Sequence, residues 1–382
     1  MDVPRTLVVT NDFPPHVGGV QTFVHALTAQ LPADRVAVLA PGAAGDTGYD
    51  RTQSFRVERI GSRPLWPTPG VRERVLSLAR EHAADVILFG SPVPLAGIGP
   101  ALADQGFPYV TLAHGFEYWM SLAPGAHAFL RRATSRASGV LVCSHFVARV
   151  VRTAVPQAVP VAVLAPGVDP SRFRPDRGPE VEELRRRLGV AGRPVVVCVS
   201  RLVPRKGQDI LIRTIARVRE RVPDAVLVLV GGGQDRTRLE RLAADVPAGS
   251  VVFAGQVTDE QLPLAYALGD VFAMPCRDRL GGLEVEGWGI VFVEAAASGL
   301  PGIAGRSGGA PEAVLDGQTG LVVDGTDAGQ IADAVAGLLA DPDRASAMGR
   351  AGRARVEQQL SWTRVADRLA GWLTRAAIKG PA

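Results

Sequence analysis

The chain has 382 residues, more than one hydrophobic core usually holds, so two domains are expected. Hydrophobic residues make up 47% of it and charged residues 21%, which is the composition of a globular protein. The 42 basic residues lie among 38 acidic ones, with a net charge of +4 and no long run of like charge, which argues against a nucleic-acid-binding groove.

The cysteines and the N-terminal residues predict a cytoplasmic protein. Cys143, Cys198 and Cys276 are far apart and fit no metal-ligand spacing, so we expect reduced, packed thiols. Residues 1–5 lead into the first strand without the apolar region of a signal peptide, and no apolar run reaches the length of a membrane span. Any contact with the inner face of the cell membrane is therefore expected to be peripheral.

Short apolar runs alternate with amphipathic helical patterns through residues 1–166. The runs predict strands at residues 7–10, 36–40, 57–60, 86–89, 109–113, 140–143 and 161–164. Helices are predicted between most of them, for example at 21–31, 71–82 and 126–137. Because strands separated by helices usually form a parallel sheet covered on both faces, this segment is predicted to be one α/β domain.

A segment rich in proline and glycine, residues 167–179, interrupts this alternation and is predicted to be a linker. A second α/β series follows over residues 180–360, with strands at 195–200, 226–230, 251–254, 271–275, 302–304 and 320–323. Two helices close the chain at 341–358 and 362–377, and the segment 361–382 is expected to pack back on the N-terminal domain. The predicted fold class is α/β, with two doubly wound, Rossmann-like domains that face each other across a cleft.

The use of lysine is the most specific feature of the chain. Of the 42 lysines and arginines, only Lys206 and Lys379 are lysines, and Lys206 lies between a predicted strand and a helix that begins near Gln208. A strand-to-helix turn offers backbone N–H groups and the positive end of a helix dipole, to which Arg201 and Lys206 add two charges. We interpret this turn as an anion site for a diphosphate; the alternative is a solvated charge cluster.

Two glutamates farther along the chain are candidates for binding sugars. Seven residues separate Glu286 from Glu294, and a loop that ends at Gly289 would place Glu286 in the loop and Glu294 one turn inside the next helix. A carboxylate accepts hydrogen bonds from two vicinal hydroxyls, so we expect one glutamate at a sugar and the other at a ribose, away from the diphosphate that would repel them. The apolar residues around Glu294 disfavour the alternative, a surface position.

Glycine-rich loops follow two of the predicted strands. Gly18 and Gly19 precede a predicted helix and would let a ligand approach the backbone, although their spacing does not fit the G-x-G-x-x-G pattern of dinucleotide binding. Gly231 begins a second glycine run, residues 231–233, after a strand that ends at Val230. Each run by itself is more typical of a tight turn than of a ligand site.

Five segments together resemble one known family. They are residues 10–21, His114 with Gly115, residues 200–209, the pair Glu286 and Glu294, and residues 308–312. These motifs resemble the family 4 retaining glycosyltransferases of GT-B fold, and the chain is most similar to the branch of phosphatidyl-myo-inositol mannosyltransferases, which use GDP-mannose. The resemblance covers nearly the whole chain. It implies a hexosyltransferase that binds a nucleotide diphospho-sugar as co-substrate, mostly in the C-terminal domain, without a metal or another cofactor.

The resemblance also implies roles for individual residues. In the implied catalytic set, Arg201 and Lys206 hold the diphosphate, while His114 and Glu286 contact the transferred sugar. Further donor-binding residues are Gly18, Gly19, Gly231, Ile290, Val291 and Glu294, of which Glu294 binds the ribose. The implied acceptor-binding residues are His16, Phe116, Tyr118 and Trp119, so the resemblance makes residues 1–166 the acceptor-binding domain.

Two departures from the family pattern leave the donor and the acceptor open. Phe116 stands where the branch has a second histidine, and Glu284 where it usually has aspartate. By resemblance the acceptor is a phosphatidylinositol-type lipid. One alternative is an enzyme that uses UDP-glucose or UDP-N-acetylglucosamine with a soluble metabolite as acceptor, and another is a GT-B-fold sugar-nucleotide epimerase. The sequence does not indicate an oligomeric state.

Two further patterns concern metals and membranes. Asp341, Pro342 and Asp343 form a D-x-D sequence, but a proline at the start of a predicted helix favours a helix cap over a metal site.

Between Tyr118 and Val168 the chain has no acidic residue and five arginines, Arg131, Arg132, Arg136, Arg149 and Arg152. Because the charged side chains of this stretch are all positive, it favours a basic face that contacts anionic lipid headgroups. The alternative is that these arginines point in different directions from two helices.

Overall fold

The computed structural model describes residues 3–16, 18–61, 64–115 and 123–380. The chain divides into two compact units, one formed by Met1–Pro166 together with Trp362–Ala382 and the other by Gly167–Ser361. No helix among the described residues has both the length and the apolar character to cross a bilayer.

The first unit is built on a seven-stranded sheet. Its strands are β1 (Thr6–Val9), β2 (Val36–Pro41), β3 (Arg56–Ile60), β4 (Val86–Phe89), β5 (Tyr109–Ala113), β6 (Gly139–Val142) and β7 (Val161–Val163). They lie in the order β3-β2-β1-β4-β5-β6-β7, and every neighbouring pair is parallel. The helices between them are α1 (Gly19–Ala29), α2 (Asp46–Asp50), α3 (Pro69–Glu81), α4 (Gly99–Ala103), α5 (Pro124–Thr134) and α6 (His145–Val151).

The second unit is built on a six-stranded sheet. Its strands are β8 (Val195–Val199), β9 (Val226–Val230), β10 (Val251–Gly255), β11 (Val271–Met274), β12 (Gly302–Gly305) and β13 (Gly320–Val323). They lie in the order β10-β9-β8-β11-β12-β13, again with parallel neighbours. The helices are α7 (Pro179–Arg187), α8 (Gln208–Arg221), α9 (Arg236–Ala244), α10 (Leu262–Ala267), α11 (Ile290–Ala297), α12 (Ala310–Ala313), α13 (Ala328–Leu339) and α14 (Pro342–Arg355).

The last helix, α15 (Trp362–Lys379), belongs to the first unit. Val365, Leu369 and Leu373 recur at helical spacing, so they form one apolar stripe. All three are completely buried in the core that also contains Val8 of β1 and Leu88 of β4. Helix α15 is therefore part of the hydrophobic core of the first unit.

The predicted fold class, α/β with two doubly wound parallel sheets, is confirmed. Every predicted strand is present within one residue of its predicted limits, because most of the strands are buried on both faces and are continuous apolar runs. The helix limits were less accurate. Helix α3 begins at Pro69, two residues before the prediction, since proline fits the first turn of a helix. The helix predicted at 341–358 is wrong at its end, where α14 gives way to a π-helical segment, Val356–Leu360.

Candidate functional site

Lys206 and Glu286 lie on two loops at the carboxyl-terminal edge of the second sheet. Lys206 ends a 3₁₀ turn, Pro204–Lys206, between β8 and α8, and Glu286 lies in the loop from β11 to α11. Strands β8 and β11 are neighbours on either side of the point where the strand order reverses. Ligands of doubly wound sheets bind at such a point, because the loops diverge there and leave a crevice.

Lys206 and Glu286 form a buried ion pair. Lys206 Nζ lies 2.6 Å from Glu286 Oε2, and both residues are only 7% exposed. Arg205 Nε is 3.9 Å from the same oxygen. Burial by itself would raise the pKa of Glu286, but the charge and hydrogen bond of Lys206, with the charges of Arg205 and Arg201, hold it below its ordinary value. Glu286 is therefore an ionised hydrogen-bond acceptor at neutral pH.

The glycine-rich segment 308–312 supports the backbone of Glu286. Gly309 N–H donates to Glu286 O at 2.8 Å, and Glu286 N–H donates to Ser307 Oγ at 3.0 Å. Ser307 in turn donates to Asp278 Oδ1 at 2.6 Å. Gly308 has a φ of +51°, and a Cβ there would lie 2.1 Å from Glu286 O. Glycine is thus required at 308 by the close approach of two backbones, which fixes the loop that carries Glu286.

The turn that carries Lys206 is fixed to the segment after β11. Gly207 has a φ of +79°, and a Cβ there would lie 2.2 Å from Pro275 O. Arg277 N–H donates to Arg205 O at 2.9 Å, and the Arg277 guanidinium donates to both carboxylate oxygens of Asp209 at 2.9 and 2.8 Å. These contacts hold the two loops of the site together.

Arg201 and Gly231 lie at the ends of β8 and β9. A Cβ on Gly231, at a φ of +136°, would lie 2.1 Å from Ser200 O, so backbone packing already requires glycine there. The donor-binding role of Gly231 stays a prediction. Arg201 follows Ser200 and is exposed, which leaves its guanidinium accessible to an anion.

Helix α11 begins beside Glu286. Gly289 precedes it with a φ of +85°, and a Cβ there would lie 3.6 Å from Glu286 Cγ. Ile290 and Val291 belong to the first turn, whose N–H groups have no acceptor within the helix. The turn therefore places backbone donors and the positive end of a helix dipole close to Glu286.

Glu294 lies one turn farther along α11 and is bonded to Tyr266 of α10. The Tyr266 hydroxyl donates to Glu294 Oε2 at 2.6 Å. Tyr266 is completely buried, whereas Glu294 is partly exposed. Burial raises the pKa of Glu294 to about 7, against the opposing effect of the Tyr266 hydrogen bond. The predicted placement of the glutamates, Glu286 in the loop and Glu294 inside the helix, is confirmed.

Three buried polar atoms in these segments have no hydrogen-bond partner among the described residues. They are Arg205 Nε, Gln208 Oε1 and Trp288 Nε1. An unsatisfied buried polar group costs about 1–3 kcal/mol, so such atoms usually meet a water or a ligand. None of the three residues was predicted to bind a ligand, although Trp288 lies between Glu286 and Gly289 and Arg205 directly precedes Lys206.

The remaining candidates belong to the first unit. His114 Nε2–H donates to Gly90 O at 2.7 Å, and the imidazole meets the ring of Phe23 edge-on, with centroids 5.4 Å apart. Among the described residues, a Cβ on Gly19 would meet no atom within 4 Å. The protein's own packing therefore does not require glycine at 19, whereas at Gly18 a Cβ would lie 2.2 Å from the Gln21 side chain.

One of the four candidates for binding the acceptor, His16, lies among the described residues. His16 is exposed at the end of the loop that leads to α1. Phe116, Tyr118 and Trp119 lie outside the described residues.

The two remaining sequence patterns are the D-x-D sequence at Asp341 and the arginine-rich stretch between Tyr118 and Val168. Asp341 caps α14, since its Oδ1 accepts from Arg344 N–H at 3.0 Å with Pro342 in the first turn, and the predicted helix cap is confirmed. In the arginine-rich stretch Arg136 is paired with Asp104. The other four arginines, Arg131, Arg132, Arg149 and Arg152, are exposed on or just after α5 and α6.

Comparison with known proteins identifies relatives over the whole chain. Residues 17–172 match the family model "Glycosyltransferase Family 4", and residues 180–355 match "Glycosyl transferases group 1". A Mycolicibacterium smegmatis protein named GDP-mannose-dependent alpha-(1-6)-phosphatidylinositol monomannoside mannosyltransferase is 45% identical over 374 residues, 96% of this chain and 98% of its own. A Corynebacterium glutamicum protein, named as acting on monoacylated alpha-(1-6)-phosphatidylinositol monomannoside, is 39% identical over 96% of each chain.

A solved structure supports the fold independently. The crystal structure of Anabaena Alr3699/HepE in complex with UDP has a TM-score of 0.80 and covers 97% of this chain and 99% of that one, at 22% identity. At this identity the likeness concerns the fold alone.

Proposed function

The chain belongs to the family 4 glycosyltransferases, and from this premise we propose that it transfers mannose from GDP-mannose to a phosphatidylinositol-type lipid. The observation that carries the proposal is the buried Lys206–Glu286 pair, which lies where doubly wound sheets bind ligands. GDP-mannose and the inositol lipid are proposed because both relatives described above are named for them and match nearly end to end.

The residues of the second unit suit a sugar nucleotide. When the bond between the anomeric carbon and the diphosphate breaks, negative charge develops on the leaving oxygen. Lys206, the exposed Arg201 and the first turn of α11 supply positive charge for it. Each such preorganised donor is worth about 3–4 kcal/mol of transition-state stabilisation. The ionised Glu286 accepts hydrogen bonds from hydroxyls of the transferred sugar.

The proposed reaction leaves the configuration of the anomeric carbon unchanged. The acceptor hydroxyl attacks from the face on which the phosphate departs, forming the new C–O bond as the bond to the phosphate oxygen breaks. That phosphate oxygen takes the proton of the hydroxyl. In this scheme the protein supplies positioning and charge, and no covalent intermediate with a side chain is formed.

We expect the reaction to be independent of divalent metal ions. The positive charge beside the proposed leaving group comes from Lys206 and Arg201, and no group of three or more metal-ligating side chains occurs among the described residues. Mannose transfer should proceed at an unchanged rate in excess EDTA. A strict requirement for Mg²⁺ or Mn²⁺ would contradict this expectation.

We also propose a peripheral contact of the first unit with anionic lipid. Four exposed arginines of this unit, Arg131, Arg132, Arg149 and Arg152, lie in a stretch that has no acidic residue. The protein should sediment with vesicles that contain phosphatidylinositol and should be released by high salt, because such attraction is screened within about 8 Å at physiological ionic strength.

Charge-reversed variants separate this contact from nonspecific adhesion. Combining Arg131→Glu with Arg132→Glu should weaken sedimentation. The matched control combines Arg344→Glu with Arg350→Glu, two exposed arginines of α14 in the second unit, and should sediment as the wild type does. Equal sedimentation of all three proteins would contradict a contact through the first unit.

The function is tested by incubating the protein with each donor and each acceptor class. The proposal predicts a mannosylated lipid, detected by mass spectrometry, with GDP-mannose and a phosphatidylinositol or its monomannoside. Glucose transfer from UDP-glucose to a soluble metabolite, with no lipid product, would overturn it. Conversion of a sugar nucleotide to its epimer without any acceptor would overturn it in favour of an epimerase.

A further inference from the structure

Tyr266 buries a hydroxyl group in an otherwise apolar aromatic cluster. Its ring lies 5.7 Å from that of Phe173 and 5.8 Å from that of Phe272, measured between centroids, and its side chain is completely buried. A phenylalanine would fill such a position, and a buried hydroxyl lowers stability unless it is hydrogen-bonded. The hydroxyl therefore requires an explanation beyond packing.

The hydrogen bond of this hydroxyl is directed at Glu294. The donor and acceptor oxygens are 2.6 Å apart, the short distance typical of a hydroxyl bound to a carboxylate. Tyr266 lies on α10 and Glu294 on α11, so the bond joins two helices through residues that are 28 positions apart in sequence. Burial raises the pKa of Tyr266 well above its ordinary value, so the hydroxyl remains protonated.

The Glu294 side chain is accessible to a ligand although it is hydrogen-bonded to Tyr266. Its side chain is partly exposed, in contrast to the completely buried Tyr266. A carboxylate offers about four acceptor positions, and Tyr266 occupies one of them. The nearby charges, Arg172 and Asp259, are bonded to each other at 2.9 Å. The phenol is therefore the direct contact that sets the orientation of the carboxylate.

We infer that Tyr266 is a positioning residue that orients the Glu294 carboxylate to accept both ribose hydroxyls of the donor nucleotide. The inference rests on the proposed function, since it assigns Glu294 to the ribose. A vicinal diol presents two O–H donors, and a carboxylate held in one orientation accepts both without first losing rotational freedom. Tyr266 thereby contributes to the preference for ribonucleotides without touching the nucleotide.

The test compares a nucleotide that has the diol with one that lacks it. Calorimetry with GDP and with 2′,3′-dideoxy-GDP measures the preference of the wild type and of Tyr266→Phe. We expect the wild type to prefer GDP by roughly 10²-fold, because a site built for hydroxyls rejects an analogue without them. In Tyr266→Phe the preference should fall below about 10-fold through weaker GDP binding, while dideoxy-GDP binding changes by less than about threefold.

Two further variants keep the comparison interpretable. Tyr109→Phe removes another completely buried phenol hydroxyl, which donates to Ala133 O at 2.8 Å in the first unit, and should leave both affinities unchanged. Glu294→Gln should also lose the preference for GDP. The double variant Glu294→Gln with Tyr266→Phe should bind GDP no more weakly than Glu294→Gln alone, because both changes act through one contact. In turnover, Tyr266→Phe should raise KM for the donor and leave kcat nearly unchanged.

The inference is wrong if Tyr266→Phe weakens the binding of both nucleotides by the same factor, since that indicates a general loss of structure. It is also wrong if the preference for GDP over dideoxy-GDP stays at the wild-type value. The proposed function can fail separately. A wild-type protein that transfers mannose but binds both nucleotides equally overturns the inference alone. A protein that prefers UDP over 2′,3′-dideoxy-UDP and loses this preference in Tyr266→Phe overturns the GDP-mannose proposal and supports the inference.

Discussion

Replacing Lys206 with alanine is expected to lower kcat by about 10² to 10³, the effect of removing one charge-stabilising donor from the site of the leaving group. The structure adds a second consequence, because the variant leaves the buried Glu286 carboxylate without its main partner. Breaking a buried ion pair in this way costs about 3–5 kcal/mol of stability. The free energy of unfolding, measured with a denaturant, and kcat should therefore both decrease.

Companion variants separate the two effects of the lysine. Combining Lys206→Met with Glu286→Gln removes both charges and should recover most of the stability but none of the activity. Lys206→Arg should recover activity only in part, since a planar guanidinium replaces a compact ammonium. Arg217→Ala breaks an exposed ion pair with Asp333 in the same unit and should cost less than about 1 kcal/mol without a change in kcat. Full activity of Lys206→Ala with GDP-mannose would disprove the diphosphate assignment.

Replacing Gly308 with alanine is expected to lower both stability and activity. The new Cβ would lie 2.1 Å from Glu286 O at a φ of +51°, so the Glu286 loop must move. We expect a loss of about 3 kcal/mol in the free energy of unfolding. Turnover should fall by on the order of 10²-fold, since a displacement of about 1 Å at a reacting group has that effect.

Gly337 provides the matched control for this substitution. It lies inside α13, and a Cβ there would meet no atom within 4 Å. Gly337→Ala should therefore raise the free energy of unfolding by about 0.5–1 kcal/mol and leave turnover unchanged. If Gly308→Ala behaves like Gly337→Ala in thermal denaturation and in turnover, then segment 308–312 does not position Glu286.

Most strands were predictable because burial on both faces makes them uninterrupted apolar runs. Strand β8, Val195–Val199, contains only valine and cysteine, and all of it is buried. Helix ends were less predictable, because capping residues and backbone turns decide them locally. The short helices α2 and α12 escaped the sequence analysis, since five and four residues are too few to show a helical period.

Individual residues of the candidate site were predictable from the sequence, but the contacts between them were not. Lysine usage singled out Lys206, and spacing singled out Glu286 and Glu294. From its sequence, Glu286 was expected to lie away from the diphosphate, yet its carboxylate is in direct contact with Lys206, which is 80 positions away in sequence. Pairings between distant segments, including that of Tyr266 with Glu294, follow from the packing of the sheet and helices, which no local pattern encodes.

Calorimetric titration with GDP-mannose in excess EDTA tests the proposed donor site most directly. The wild type should bind GDP-mannose without a metal. The combined Lys206→Met and Glu286→Gln variant, which is expected to keep its fold, should bind it at least about 10-fold more weakly, since it has lost a charged contact to the diphosphate. Equal affinity of the two proteins, or no binding of GDP-mannose by the wild type, would contradict a donor site built around Lys206 and Glu286.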